Sequence, residues 1–244
     1  MQLLDNCLDN AKFREQIPAE FRKGLCAQMM KTWTALFAMF VACATPTAFA
    51  QTAPGNIQAG AGKAAMCIGC HGIPGYQASF PQVHKVPMIS GQSASYIAAA
   101  LDGYRRGDRI HPSMRAVSES LTDQDIADLS VYYEAHSGVR TVVKEYSTPA
   151  NIAGLIERGA CYTCHGQGFT QPIDIYPKLA GQHADYLYVA MKSYKVEGNP
   201  HVGRINGVMA PIAQQFSNQE LQLLANYISN LEGDLRTVPQ GRFR

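Results

Sequence analysis

Two five-residue strings constrain this 244-residue chain more than any other feature: Cys67-Ile-Gly-Cys70-His71 and Cys161-Tyr-Thr-Cys164-His165. C-x-x-C-H is the attachment signature of a c-type haem. Two thiols at this spacing add across two vinyl groups on one porphyrin edge, and the adjacent His is placed beneath the iron as its proximal ligand. A zinc site would need four ligands converging. A thioredoxin-like pair has no need of the following His, and two structural disulfides would leave the repeated His without a reason. The motifs therefore predict two covalently bound haem c groups, held by Cys67, Cys70, Cys161 and Cys164, with His71 and His165 on the irons.

The motifs belong to a longer repeat. Ala59-Gly60 and Cys67 recur 94 residues later as Ala153-Gly154 and Cys161. Pro87-Met-Ile-Ser-Gly91-Gln92, Tyr96 and Tyr104 recur at an offset of 90 as Pro177-Lys-Leu-Ala-Gly181-Gln182, Tyr186 and Tyr194. Met114, Leu129 and Tyr132 recur at 95 as Met209, Leu224 and Tyr227. The second copy thus has a haem loop four residues shorter and a later loop five residues longer. A repeat of this length means two homologous domains rather than a solenoid.

Each copy reads as helical. Thr122-Asp-Gln-Asp125 and Ser217-Asn-Gln-Glu220 are capping-box patterns, in which the first hydroxyl and the fourth residue's side chain satisfy free amides. Ile126, Leu129 and Tyr133 follow at helical spacing, as do Leu221, Leu224, Ile228 and Leu231; each stripe buries one face. Middle helices are expected from about Ser93 to Tyr104 and from about His183 to Lys195. Thr148-Pro149 reads as an N-cap followed by Pro at the first helical position. The expected fold is all-α: two tandem domains, 54–140 and 149–240, joined by a linker over 141–148. Each is small for a self-sufficient core, and the haem supplies apolar interior.

Residues 1–50 read as a leader outside the fold. Lys31 precedes an apolar stretch from Trp33 to Ala44, Pro46 breaks it, and Ala48-Phe49-Ala50 is a small-x-small cleavage site. This is the pattern of a secretory signal over 29–50, cleaved after Ala50. Residues 1–28 are a long preamble for a signal, and Met29 or Met30 is an alternative start. Lipid attachment at Cys43 is a rival reading, against which Phe40 stands where Leu is preferred. Removal of the leader takes Cys7, Cys26 and Cys43, leaving the four motif cysteines, which suits an oxidising compartment such as the periplasm.

The net charge of +2, with 46% apolar and 16% charged residues, is globular composition. It lacks the basic excess of a nucleic-acid binder.

The sixth iron ligand separates carrier from catalyst. A Met/His site raises the potential and transfers electrons, whereas an open site binds and activates small molecules. Met114 lies 43 residues beyond His71 and Met209 lies 44 beyond His165, both in polar, apparently helix-free stretches before the last helix. Met191 lies within an apparent helix, and Met88 has Lys178 as its repeat partner. His84, His111, His183 and His201 form the rival set, with the look of surface polar groups. Without the leader no cysteine is left to serve as a distal ligand.

With these motifs in place, residues 55–235 resemble the dihaem class I cytochromes of the cytochrome c4 family. The resemblance rests on both C-x-x-C-H motifs, the P-x-[IL]-[AS]-G-Q segments, and the late Met followed by a capped helix. It implies two class I cytochrome folds related by a pseudo-twofold axis, with haem propionates near the interface. It implies His71/Met114 and His165/Met209 ligation, with the carbonyls of Pro87 and Pro177 accepting from the proximal histidines. It further implies that Gly60 packs near Tyr132 or Tyr133, and Gly154 near Tyr227. The longer haem loop of domain one, carrying Phe80-Pro-Gln-Val-His84-Lys, and the preamble over 1–28 depart from the pattern.

The function so implied is periplasmic one-electron transfer, not catalysis, from a quinol-oxidising complex to a terminal oxidase or reductase, with loose membrane association at most. Redox encounters are weak and small in area. Arg105, Arg106 and Arg109 form a basic cluster, read as a steering surface for acidic partners, a solvated helix end or a neutraliser of propionates. A fixed cytochrome subunit of a larger oxidoreductase is an alternative. So is a dihaem peroxidase, for which the chain is short, or a thiosulfate-oxidising cytochrome, which often has a Cys ligand.

Overall fold

The computed structural model describes residues 53–136 and 147–239, all within one unit spanning Thr52–Arg244. The leader, most of the linker and the C-terminal bound of the second domain lie outside the described residues.

Domain one opens with α1 (Ile57–Lys63), capped by the Asn56 side chain accepting from the Ala59 N–H. The second helix, α2 (Ala65–His71), carries the first haem motif and ends at Gly72. A two-residue antiparallel pair follows, β1 (Gln77–Ala78) with β2 (His84–Lys85), in which Gln77 faces Lys85. This hairpin is built from the longer haem loop. Helix α3 (Ala94–Arg106) stops at Gly107, whose φ of 87° is a left-handed conformation that favours glycine. Strand β3 (Arg109–Ile110) and helices α4 (Pro112–Glu119) and α5 (Asp123–Ala135) complete the domain. The predicted stripe is buried: Ile126, Leu129 and Tyr133 join Ile68, Ile97, Leu121 and Tyr132 in one core. Each such side chain contributes about 1.5–3 kcal/mol when fully buried.

Domain two repeats the plan with α6 (Ala150–Arg158), α7 (Cys161–His165), a 3₁₀ turn (Gln167–Phe169), α8 (Ala184–Ser193), β4 (Gly203–Arg204), α9 (Met209–Gln214) and α10 (Asn218–Ser229). Its core gathers Ile152, Ile156, Phe169, Leu187, Phe216, Leu221, Leu224 and Ile228.

Both capping boxes form, at Thr122/Asp125 and Ser217/Glu220. In each domain the same carboxylate also pairs with the first helix. Lys63 of α1 reaches Asp125 at 2.7 Å, and Arg158 of α6 pairs with Glu220.

Three expectations are corrected. Thr148 does not cap α6: its hydroxyl bonds the Tyr227 hydroxyl at 2.7 Å, and Pro149 takes the cap position with no side-chain hydrogen bond. The stretches bearing Met114 and Met209 are helical. Pro112 starts α4 with φ already preset, and the His111 ring accepts from the Met114 N–H. Asn206 accepts from the N–H groups of Val208 and Met209 to start α9. The glycines also differ. A Cβ on Gly60 would lie 2.6 Å from Tyr132 Cβ, so that approach is tight, whereas Gly154 is exposed with nothing within 4 Å.

The halves meet through repeat-related groups. Strands β3 and β4 pair antiparallel, with Arg109 opposite Arg204. The Gln92 side chain bonds both the N–H and C=O of Lys178, at 2.9 and 3.0 Å. Gln182 does the same to Met88, at 3.0 and 2.9 Å. The hairpin adds contacts with no repeat counterpart: Lys85 N–H donates to Asp185, Lys192 donates to Gln82, and the His84 ring stacks on Tyr186. The tail of domain two returns to domain one, with the Arg236 N–H donating to the Ser90 carbonyl.

Candidate haem centres

Helix α2 sets Cys67 and Cys70 one turn apart on one face, with His71 directly after them. Helix α7 does the same for Cys161, Cys164 and His165. None of the four cysteines is in a disulfide, so the thiols are free to form thioethers. Each imidazole is oriented by a backbone carbonyl: His71 Nδ1 donates to Pro87 O at 2.8 Å, and His165 Nδ1 to Pro177 O at 3.0 Å. A carbonyl has no proton to give, so Nδ1 carries the hydrogen and Nε2 carries the lone pair. Burial pushes both rings below the ordinary histidine range, with the carbonyls partly opposing it. Burial thus favours the neutral ring, the form that binds iron.

A cavity of about 440 Å³ opens beside α2, within the roughly 300–1,000 Å³ of cofactor pockets. Cys67, Cys70, His71 and Met114 all line it, among Ile97, Leu101, Val117 and Leu129. Arg109 also lines it, and its Nε is buried without a protein partner. An apolar slot with two thiols, an imidazole, a thioether and an unpaired guanidinium N–H fits a dicarboxylate porphyrin. The cavity continues across the interface to Leu179, Gln182, Tyr186 and Arg204. In domain two His165 is buried beside Phe169 and Tyr176, and Cys161 packs on the core. Met209 is half-buried at the start of α9 and lies outside this cavity.

Several sequence expectations change here. His84 is a buried residue, 5% exposed, and His111 is half-buried; both line the cavity with Met114, which corrects their reading as surface groups. His201 is exposed. Met66 is 54% exposed, and Met191 packs against the second core. The basic cluster is not a free patch. Arg105 pairs with Asp102 and Asp123, Arg106 with Asp102 and Asp108, and Arg109 points to Tyr96 and Tyr104.

The sequence reading named Gln92, Gln182 and Arg109 but missed the pairings they make across the repeat, and missed Arg204. Gln92 and Gln182 close each repeated P-x-[IL]-[AS]-G-Q segment, and that repetition was the available signal. Arg109 and Arg204 recur at the same offset of 95 as the late methionines. Arg204 bonds the Tyr186 hydroxyl and lies near Tyr194, as Arg109 does with Tyr96 and Tyr104. Burial raises the Tyr186 hydroxyl, but Arg204 and Arg109 outweigh it and bring it down to about 8.

The cytochrome c family model matches residues 150–232. Cytochrome c4 of Thiocapsa roseopersicina is 30% identical over 186 residues, covering 72% of this chain and 93% of that one. The chain belongs to the cytochrome c4 family. The thiosulfate dehydrogenase electron acceptor of Stutzerimonas stutzeri is also 30% identical, over 75% of this chain and 88% of that one. The crystal structure of reduced recombinant cytochrome c4 from Pseudomonas stutzeri superposes with a TM-score of 0.54, at 25% identity, over 73% of this chain and all of that one. This cytochrome c4 family member is thus an all-α protein of class I cytochrome c domains, with two covalently bound haem c groups, and a carrier of electrons.

Proposed function

We propose that this protein is a periplasmic one-electron carrier, not an enzyme, between a quinol-oxidising complex and a terminal oxidase or reductase. Cys67 and Cys70 hold one haem and Cys161 and Cys164 the other. His71 with Met114 and His165 with Met209 close the two irons. Each bound haem supplies an iron that alternates between ferric and ferrous states without substrate bonds being made. The residues do the rest: the Pro87 and Pro177 carbonyls orient the proximal rings, the cores exclude water, and the thioethers deny the irons to exogenous ligands.

The observation that carries this reading is that Met114 lines the same cavity as Cys67, Cys70 and His71. Among the described residues no helix is long and apolar enough to cross a membrane. The test is an anaerobic redox titration of the exported protein, followed optically, with carbon monoxide added at the reduced end point. Two high-potential waves and no carbon monoxide shift are expected. A haem that takes carbon monoxide would overturn the carrier reading.

The relative that accepts electrons from thiosulfate dehydrogenase favours a second donor. Rapid mixing of the ferric protein with a thiosulfate dehydrogenase and thiosulfate, against mixing with a quinol-oxidising complex and quinol, separates the two. The faster reduction identifies the donor.

A further inference from the structure

The two interface glutamines sit next to more than the interface. His71 Nδ1 donates to the carbonyl of Pro87, and Gln182 of the other domain accepts from the N–H of Met88. Pro87 C=O and Met88 N–H belong to one peptide group. The same holds in reverse, where His165 donates to Pro177 O and the N–H of Lys178 donates to Gln92. Each proximal histidine is therefore joined, through a single peptide plane, to a side chain of the opposite domain.

We propose that Gln182 and Gln92 are positioning residues that act crosswise, each setting the proximal histidine of the other domain.

The glutamines are built for this. Both are 4% exposed. Each Oε1 accepts two backbone N–H groups: from Met88 and His183 for Gln182, and from Lys178 and Ser93 for Gln92. Each Nε2 donates to the carbonyl of the same residue it accepts from, Met88 or Lys178. Two bonds to one residue fix the tilt of its backbone as well as its distance. A peptide whose N–H is already engaged is a stronger acceptor at its C=O, because hydrogen bonds in series polarise one another. A stronger acceptor draws the Nδ1 proton, makes the ring a better donor to iron and favours the ferric state. Removing Gln182 should therefore favour ferrous iron in domain one, although Gln182 belongs to domain two.

This proposal rests on the reading that His71 and His165 are the proximal ligands. The experiment uses the full holo-protein carrying Gln182→Leu or Gln92→Leu. The two haems are titrated anaerobically and distinguished by NMR of histidine-labelled ferric protein. In Q182L we expect the ferrous-to-ferric ratio of the domain-one haem to rise roughly two- to tenfold at fixed potential, the scale of one polarising bond. The His71 Nδ1–H signal should move while that of His165 stays. Q92L should show the mirror result. Gln182→Glu keeps the acceptor for Met88 and should not raise the domain-one potential. It also serves if Q182L folds poorly. Equal shifts at both haems, a shift confined to the variant's own domain, or no shift would overturn the proposal and leave interface packing as the glutamines' role. Failure of the ligation reading shows separately, as an absence of iron-shifted His71 and His165 ring signals in the unmutated ferric protein.

Discussion

Gly60 of α1 lies directly against Tyr132 of α5, so close that a Cβ would stand 2.3 Å from the Asp128 carbonyl oxygen and 2.6 Å from Tyr132 Cβ. No rearrangement of a flexible tip relieves contact with a backbone carbonyl. Gly60→Ala should force α1 away from α5 and destabilise domain one by about 1–3 kcal/mol or more. Gly154→Ala, at the equivalent repeat position but with open space around it, should be neutral or stabilising by up to ~1 kcal/mol through helix propensity. Chemical unfolding of both variants checks the contrast, and equal losses would refute it.

Stability at low pH should depend on the two capping-box carboxylates. Lys63, then the Thr122 cap, holds Asp125 down to about 2, and Arg158, then the Ser217 backbone, holds Glu220 down to about 2. A carboxylate depressed in the folded state stabilises it above the unfolded pKa and loses that contribution as pH falls through the folded pKa. The loss therefore falls between roughly pH 4.5 and pH 2. Asp125→Asn and Glu220→Gln should each lower Tm at pH 7 and flatten its fall across that window. Thermal melts from pH 7 to pH 2 are the measurement, and an unchanged slope in both variants would sink the idea.

The helices, stripes and capping boxes were legible because local rules and burial agree in them: Leu129 and Leu224 are both core, and Thr122 and Ser217 both cap. Met114 and Met209 were legible as a repeated pair, but their helices were not, because His111 and Asn206 start them through bonds that depend on backbone geometry. The interface was opaque for another reason. A glutamine closing a motif looks like any turn residue until the partner domain supplies the backbone it clasps. His84 was misread in the same way, since Tyr186 of the other half stacks on its buried ring.

Arg109 and Arg204 should raise both potentials. They are register partners across the interface, both line the cavity, and no acidic side chain pairs with either among the described residues. At an effective dielectric of ~20, two unit charges roughly 10 Å apart interact by about 1–2 kcal/mol. Ferrous iron, carrying one positive charge fewer, gains from the guanidinium charge. Arg109→Leu and Arg204→Leu should therefore lower the potentials, whereas Arg109→Lys, which keeps the charge but loses the fork to Tyr96 and Tyr104, should lower them less. In R204L, without the guanidinium that lowers it, the Tyr186 hydroxyl should also titrate higher than in the unmutated protein, which ultraviolet difference titration reads. Potentials that stay put in both leucine variants would show that the charges are neutralised locally.

Removing a thioether should open one iron at a time, and the surroundings of Met114 decide how. Met114→Ala and Met209→Ala should each lower one potential, because a Met/His site is the high-potential arrangement. In domain two the reduced M209A protein should bind carbon monoxide at one haem. In domain one His84 and His111 line the cavity with Met114, so a vacated position has two imidazoles within the same space. M114A alone should bind carbon monoxide weakly or not at all if a ring enters, and H84A/H111A/M114A should bind it fully. The paired measurement separates the cases. Carbon monoxide uptake by the triple variant but not by M114A identifies an entering histidine, while equal uptake by both shows that the rings are held away, as the His84 bond to the Gln82 carbonyl would hold one of them. Refusal by M209A and by the triple variant alike would mean that neither methionine closes an iron.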